Sequence, residues 1–248
     1  MSSSIPERAF QGRIALVTGA SRGIGRATAL ALAKGGAQVI ATASNQGALE
    51  ELDDEVQAAG LAPLTLVPLD LKDGNGIDRL GAAIFERWAR LDVLVANAGV
   101  LGPLSPLAHL DVKDWAKVMA INLTANWRLM RSMDPLLRAS EAARAVFITS
   151  GAAARPRAFW GAYAISKAGL EAMVTTYADE VEHTAIRTAL VNPGPTRTRM
   201  RAEAFPGEDP DTLPTPEDVA ALILHVARAD REPPKGVVNY RDWAAATG

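Results

Sequence analysis

Seven short apolar runs punctuate the chain, at 14–18, 38–43, 64–69, 93–96, 145–149, 188–191 and 237–240, and most are continuous rather than alternating in polarity. Continuous runs mark strands covered on both faces, as in a parallel sheet. Between them lie amphipathic stretches at 25–34, 47–59, 77–90, 112–138, 161–183 and 216–229, which predict helices. Strands alternating with helices give an α/β fold with helices on both faces of a parallel sheet. Right-handed crossovers predict a doubly wound strand order 3-2-1-4-5-6, with the last run as a seventh strand.

Composition narrows this picture. The 248 residues suit one compact domain over 1–248, with the polar start, 1–11, read as a loosely ordered arm. There is no cysteine, and the three histidines are scattered at 109, 183 and 225, so neither a disulfide framework nor a metal site is expected. A net charge of −2 argues against nucleic acid as a partner. No apolar run approaches the ~20 residues of a membrane span, and the start lacks the apolar core of a secretory signal, so the expected location is the cytoplasm. No internal repeat or low-complexity linker is visible. The one long connection, 193–215, contains Pro193, Pro195, Pro206, Gly207, Pro210 and Pro214 and is a candidate lid.

The first strand runs into a helix through Thr18-Gly19-Ala20-Ser21-Arg22-Gly23-Ile24-Gly25. Gly19 suits a tight turn; Gly23 and Gly25 let backbone approach a pyrophosphate and let the helix sit close to the sheet. The helix N-terminus then offers free N–H groups to the phosphates. This is a Rossmann-type dinucleotide site, or a tight strand-to-helix turn with no ligand. A carboxylate near the end of the second strand would bond a ribose 2′-hydroxyl and repel a 2′-phosphate. Here Val39-Ile40-Ala41-Thr42-Ala43-Ser44-Asn45 carries none before Glu50. Arg22 can pair with a 2′-phosphate, and Ser44 and Asn45 can hydrogen-bond it, so NADP(H) is expected over NAD(H). Arg22 as a merely solvated charge is the alternative.

Tyr163 and Lys167 are spaced i, i+4 on a predicted helix and share one face. A free phenol has a pKa of about 10; a neighbouring ammonium is expected to lower it toward neutrality. Ser150 closes the fifth strand thirteen residues earlier, and strand C-terminal ends line the ligand crevice in such sheets. Thr149 and Ser166 are neighbouring hydroxyls read as packing or helix-surface residues. Asn122 sits within a helical stretch although asparagine is a mediocre helix former; a satisfied buried amide is the plain reading.

Taken in order, these motifs resemble the short-chain dehydrogenase/reductase family over nearly the whole chain, and most closely its bacterial YciK-like branch. The resemblance implies that Gly19, Ser21, Arg22, Gly23, Ile24 and Gly25 form the cofactor loop, with Ser44 beside it. It implies that Asp70-Leu71 contact the adenine and that Asn97-Ala98-Gly99 ends the fourth strand at the cofactor. Pro193, Gly194 and Thr198 would flank the nicotinamide, Asn122 would hold a relay water, Ser150 would orient a carbonyl, Tyr163 would be the acid/base, and Lys167 would tune Tyr163 and anchor the ribose. The expected activity is reversible hydride transfer between NADP(H) and a small carbonyl or alcohol substrate, without metal. The expected assembly is a homodimer or homotetramer built on the helices at 112–138 and 161–183. Phe159, Trp160, Leu101, Met200 and Phe205 are candidates for an apolar pocket wall, and Arg155, Arg157, Arg197 and Arg199 for an anion site, or else ordinary core aromatics and solvated arginines. A 3-oxoacyl-[acyl-carrier-protein] reductase is the alternative activity, although Glu180-Val181-Glu182-His183-Thr184 does not favour an acidic carrier. A non-catalytic NADPH-binding sensor is the alternative of another class.

Overall fold

The computed structural model describes residues 8–247. Its sheet has seven parallel strands: β1 (Ile14–Thr18), β2 (Gln38–Ala43), β3 (Thr65–Pro68), β4 (Val93–Ala96), β5 (Arg144–Ile148), β6 (Arg187–Asn192) and β7 (Val237–Asn239). They lie in the order β3-β2-β1-β4-β5-β6-β7, as the crossover rule predicts. The helices are α1 (Gly23–Lys34), α2 (Gln46–Ala58), α3 (Gly74–Trp88), α4 (Val112–Met119), α5 (Ala125–Arg138), α6 (Gly151–Ala154), α7 (Gly161–Glu180), α8 (Arg199–Ala204), α9 (Pro216–Ala227) and α10 (Tyr240–Thr247).

The sheet divides two apolar cores, and the strands supply both by alternation. Ala15 and Val17 of β1 pack with Leu49, Leu52, Val219 and Ile223 from α2 and α9. Leu16 of the same strand packs with Ile77, Leu80, Leu129, Met133 and Leu170 from α3, α5 and α7. All five residues of β1 and of β5 are buried, which is why their runs read as unbroken apolar segments.

Four features depart from expectation. Of the expected loose arm, residues 1–7 lie outside the described residues, and 8–11 are anchored through Phe10, which is wholly buried and whose N–H donates to the Gly35 carbonyl at 2.9 Å. The stretch at 112–138 is not one helix, because a π-helical turn (Ala120–Thr124) separates α4 from α5. The candidate lid contains a short helix, α8, capped by Thr198, whose hydroxyl accepts from the Arg201 N–H at 3.3 Å. The tail after Gly236 forms α10, with Trp243 against His225 and Tyr240. Neither α8 nor α10 has a buried residue, so apolar periodicity could not announce them.

Candidate active site

The C-terminal ends of β1, β4, β5 and β6 open onto one cleft of about 750 Å³, at the point where strand order reverses between β1 and β4. Gly19, Ser21, Arg22, Gly23, Ile24, Ser44, Asp70, Leu71, Asn97, Ala98, Gly99, Tyr163, Lys167, Pro193 and Thr198 all line it. Gly25, Asn122, Ser150 and Gly194 stand outside the lining.

The phosphate loop is shaped by close approach. Gly19 has φ +67°, and a Cβ there would lie 3.0 Å from both Ala98 Cα and Asn97 Nδ2. A Cβ on Gly25 would lie 2.3 Å from the Gly19 carbonyl oxygen and 2.4 Å from Asn97 Nδ2, so the first turn of α1 rests directly on the loop. Asn97 ties this arrangement to β4: its Nδ2 donates to the Thr18 carbonyl at 2.9 Å. The Thr18 hydroxyl accepts the N–H groups of Asn97 and Ala98, both at 3.0 Å. One hydroxyl thus joins the ends of two neighbouring strands beneath the cleft. Asp70 is held by the Lys72 N–H at 3.0 Å and the Lys72 ammonium at 3.1 Å. The backbone hydrogen bond foremost keeps its carboxyl below the usual range.

Tyr163 and Lys167 lie in the first two turns of α7, both buried. The Lys167 ammonium donates to the Ile148 carbonyl at 2.7 Å and stands 6.0 Å from the centre of the Tyr163 ring. Burial lowers the Lys167 pKa to about 8, with Glu171, one turn further along α7, opposing the fall. The Glu171 carboxylate accepts from the Thr149 hydroxyl at 2.6 Å. Tyr163 departs from the expectation of a lowered pKa. Burial pushes its phenol up, and the Ser150 hydroxyl, rather than Lys167, opposes the rise. The physical reason is that Lys167, lowered to about 8, has given up its charge before the phenol titrates, so no ammonium is left to favour the phenolate. Ser150 also caps α6, accepting from the Ala152 N–H at 3.2 Å.

Asn122 is fully buried in the π-helical turn. Its Oδ1 accepts from the Val100 N–H at 2.8 Å, and its Nδ2 donates to the Val100 carbonyl at 2.9 Å and to Ser166 Oγ at 3.0 Å. Ser166 Oγ in turn donates to the Tyr163 carbonyl at 2.8 Å. Asn122 therefore links the chain after Gly99 to the helix that carries Tyr163, and Ser166 is a buried bridge rather than a surface residue. Sequence reasoning also missed Asn192. Its Oδ1 accepts the N–H groups of Gly151 and Gly194, both at 3.1 Å, joining the loops after β5 and β6. Thr18 and Asn192 each directly precede a glycine-bearing motif, the signal that could have found them.

The supposed pocket wall separates into parts. Leu101 and Met200 line the cleft, whereas Phe159 lies with Leu107 and Ile165 along a separate groove. Trp160 and Phe205 pack on one another, outside the cleft lining. Of the four arginines, Arg197 and Arg199 reach the cleft but are paired with Asp211 (3.3 Å) and Glu203 (2.8 Å); Arg155 and Arg157 do not line it. Asp114 and Lys117 of α4, unanticipated, line it as well. Among the described residues there is no cluster of metal-ligating side chains, and no helix is long and apolar enough to cross a membrane.

Known proteins share this sequence pattern and fold. The family model for short chain dehydrogenases matches residues 13–209. An uncharacterized oxidoreductase of Escherichia coli K12, YciK, is 40% identical over 215 residues, which span 86% of this chain and 84% of that protein. The crystal structure of a short chain dehydrogenase from Shigella flexneri 2a, complexed with NADP, matches with a TM-score of 0.90 and 37% identity, covering 95% of this chain and 99% of that one. An uncharacterized NAD-dependent oxidoreductase of Mycobacterium tuberculosis is 34% identical over 204 residues, 77% of this chain and 74% of that protein.

Proposed function

The chain belongs to the short-chain dehydrogenase family, oxidoreductases that interconvert CH–OH and C=O groups with a nicotinamide cofactor, and from that premise we propose that it reduces a carbonyl with NADPH, Tyr163 supplying the proton. The observation that carries this reading is a buried phenol and a buried ammonium on the same cleft as a glycine loop with no room for a Cβ. A nicotinamide dinucleotide fits that cleft, since Gly19, Gly23 and the start of α1 present backbone where phosphates need it, and when bound it supplies the hydride for the carbonyl carbon. The chain's own residues do the rest. Tyr163 gives its proton to the carbonyl oxygen, and burial favours the protonated phenol that this direction requires. Ser150 orients that oxygen. Lys167 steadies the phenolate left behind and reaches the ribose, and Asn122 fixes the backbone around both. A two-fold assembly belongs to the same reading, supported by Trp127 on α5 and Ile165 on α7, which leave 47% and 41% of their surfaces exposed.

The choice of NADP(H) rests on Arg22 and Ser44. Both are exposed and line the cleft, and Arg22 forms no ion pair among the described residues. Arg22→Ala is expected to raise KM for NADPH about tenfold or more, equivalent to roughly 1.4 kcal/mol of a charge-assisted contact, while KM for NADH changes less than twofold. Equal effects on the two cofactors, or a wild-type preference for NADH in kcat/KM, would sink the assignment.

The pH dependence follows from Lys167. Its ammonium is present below a pKa of about 8 and is lost as pH rises through that value. Glu171 is the charged group that holds it up. The reduction rate at saturating NADPH is therefore expected to fall above about pH 8. Lys167→Arg, charged throughout, should lower the plateau and remove that descending limb. A limb that persists unchanged in the variant assigns it to another group.

A further inference from the structure

A chain of contacts ties the segment 198–208 to Tyr163. Trp160, the residue at the start of α7, meets Tyr163 edge-on, with ring centres 6.0 Å apart at 71°. Trp160 also packs on Phe205, 5.7 Å away. The Arg201 guanidinium stands over Phe205 at 3.7 Å from the ring centre. Arg201 is gripped by Glu208 through two hydrogen bonds, of 2.5 and 2.6 Å. That pair is largely shielded from water, at 22% and 28% side-chain exposure, so its planar fork is a firmer anchor than an open surface ion pair. At its other end the segment touches the phosphate loop: Thr198 lines the cleft, and its methyl lies 3.4 Å from where a Cβ on Gly23 would sit.

The turn that delivers Trp160 is itself strained. Phe159 has φ +72°, a left-handed conformation that costs a bulky residue of order 1–3 kcal/mol and persists only where the surroundings impose it. It is held by the Ser105 N–H donating to the Phe159 carbonyl at 3.0 Å, by the Trp160 N–H donating to the Arg157 carbonyl at 3.2 Å, and by the seat of Trp160 on Phe205. Removing that seat frees the turn to relax, and Tyr163 lies three residues on.

We propose that Trp160 is a positioning residue for Tyr163, and that the 198–208 segment holds it in place through Phe205 and the Arg201–Glu208 pair. The inference rests on the reading of Tyr163 as proton donor. It makes the mouth of the cleft and the proton donor one mechanical unit, so that side chains which contact neither substrate nor cofactor set the rate.

The chain has three tyrosines, at 163, 177 and 240, so the full protein labelled with 3-fluorotyrosine gives three fluorine resonances, and Tyr163→Phe assigns one of them. Arg201→Ala and Phe205→Ala, which alter neither Tyr163 nor Trp160, are expected to shift or broaden the Tyr163 resonance and leave the other two in place. With an ortho-quinone as substrate, kcat should fall about tenfold while KM for NADPH stays within twofold, the signature of misplacement rather than lost binding. Arg201→Lys, which keeps the charge but not the fork, should recover part of the loss. A Tyr163 resonance unmoved in both alanine variants overturns the proposal. If Arg201→Ala unfolds the protein, the Tyr177 and Tyr240 resonances collapse too, and Glu208→Gln then puts the same question with a smaller change. Because the resonance reports position without turnover, it decides this inference even if Tyr163→Phe retains activity and the proton-donor reading fails.

Discussion

Tyr163→Phe is expected to lower turnover of an ortho-quinone or α-keto ester by about 10²–10⁴-fold, the usual worth of a positioned general acid, while NADPH binds as before. The asymmetry between the two readouts is the point. The phenol oxygen is removed from the cleft, but the glycine loop, Arg22, Ser44 and the backbone at Asn97-Ala98-Gly99 are untouched. The ring stays, so the edge contact with Trp160 and the buried volume around residue 163 are preserved. Kd for NADPH from its fluorescence should therefore stay within about twofold, and thermal stability should move little. Turnover retained above a few per cent of wild type would show that another group, or water, delivers the proton. Loss of NADPH affinity in step with turnover would mean that Tyr163 serves binding instead.

Gly25→Ala is expected to be the most damaging single methyl group in the chain. The added carbon would stand 2.3 Å from the Gly19 carbonyl oxygen and 2.4 Å from Asn97 Nδ2. Neither partner can yield cheaply. The first is backbone, and the second is committed to the Thr18 carbonyl. Relief requires α1 to lift off the loop, moving its N–H groups away from the phosphate position. Overpacking of this kind costs about 1–3 kcal/mol, a loss of roughly 2–12 °C in Tm for a chain of this size, and NADPH affinity should drop by at least about tenfold. Gly207→Ala is the control: a Cβ there meets nothing within 4 Å, and Gly207 is not in a left-handed conformation, so both quantities should stay unchanged. An unchanged NADPH affinity in Gly25→Ala would refute the close-approach account of the loop.

The two variants probe features that differ in how they were encoded. Gly25 was legible locally, because a strand, three glycines and a helix follow one another within a dozen residues. Tyr163 and Lys167 were legible by their i, i+4 spacing, but their electrostatics were not. Both the lowered ammonium and the raised phenol come from burial, by chain that is largely distant in sequence and that an i, i+4 spacing does not record. The expectation that the ammonium depresses the phenol treated the pair as if they were alone in water. Desolvation of both reversed the outcome for Tyr163.

What the sequence determined by itself was the order of elements and the architecture. Strands covered on both faces must be apolar throughout, and helices packed on a sheet must carry an apolar stripe, so each of these elements is written in its own residues. The handedness of crossovers then prunes the ways they can assemble to a handful. The tertiary structure alone decided where polar groups find partners. The Thr18 hydroxyl serves amides 79 and 80 positions away, Asn122 and Ser166 meet across 44, and Asn192 meets Gly151 across 41. Hydrogen bonds over such separations leave no periodicity to read. The same holds for α8 and α10, which exist because Phe205 and Trp243 have neighbours to pack on, and for Phe10, buried against a glycine turn that only the folded chain brings to it.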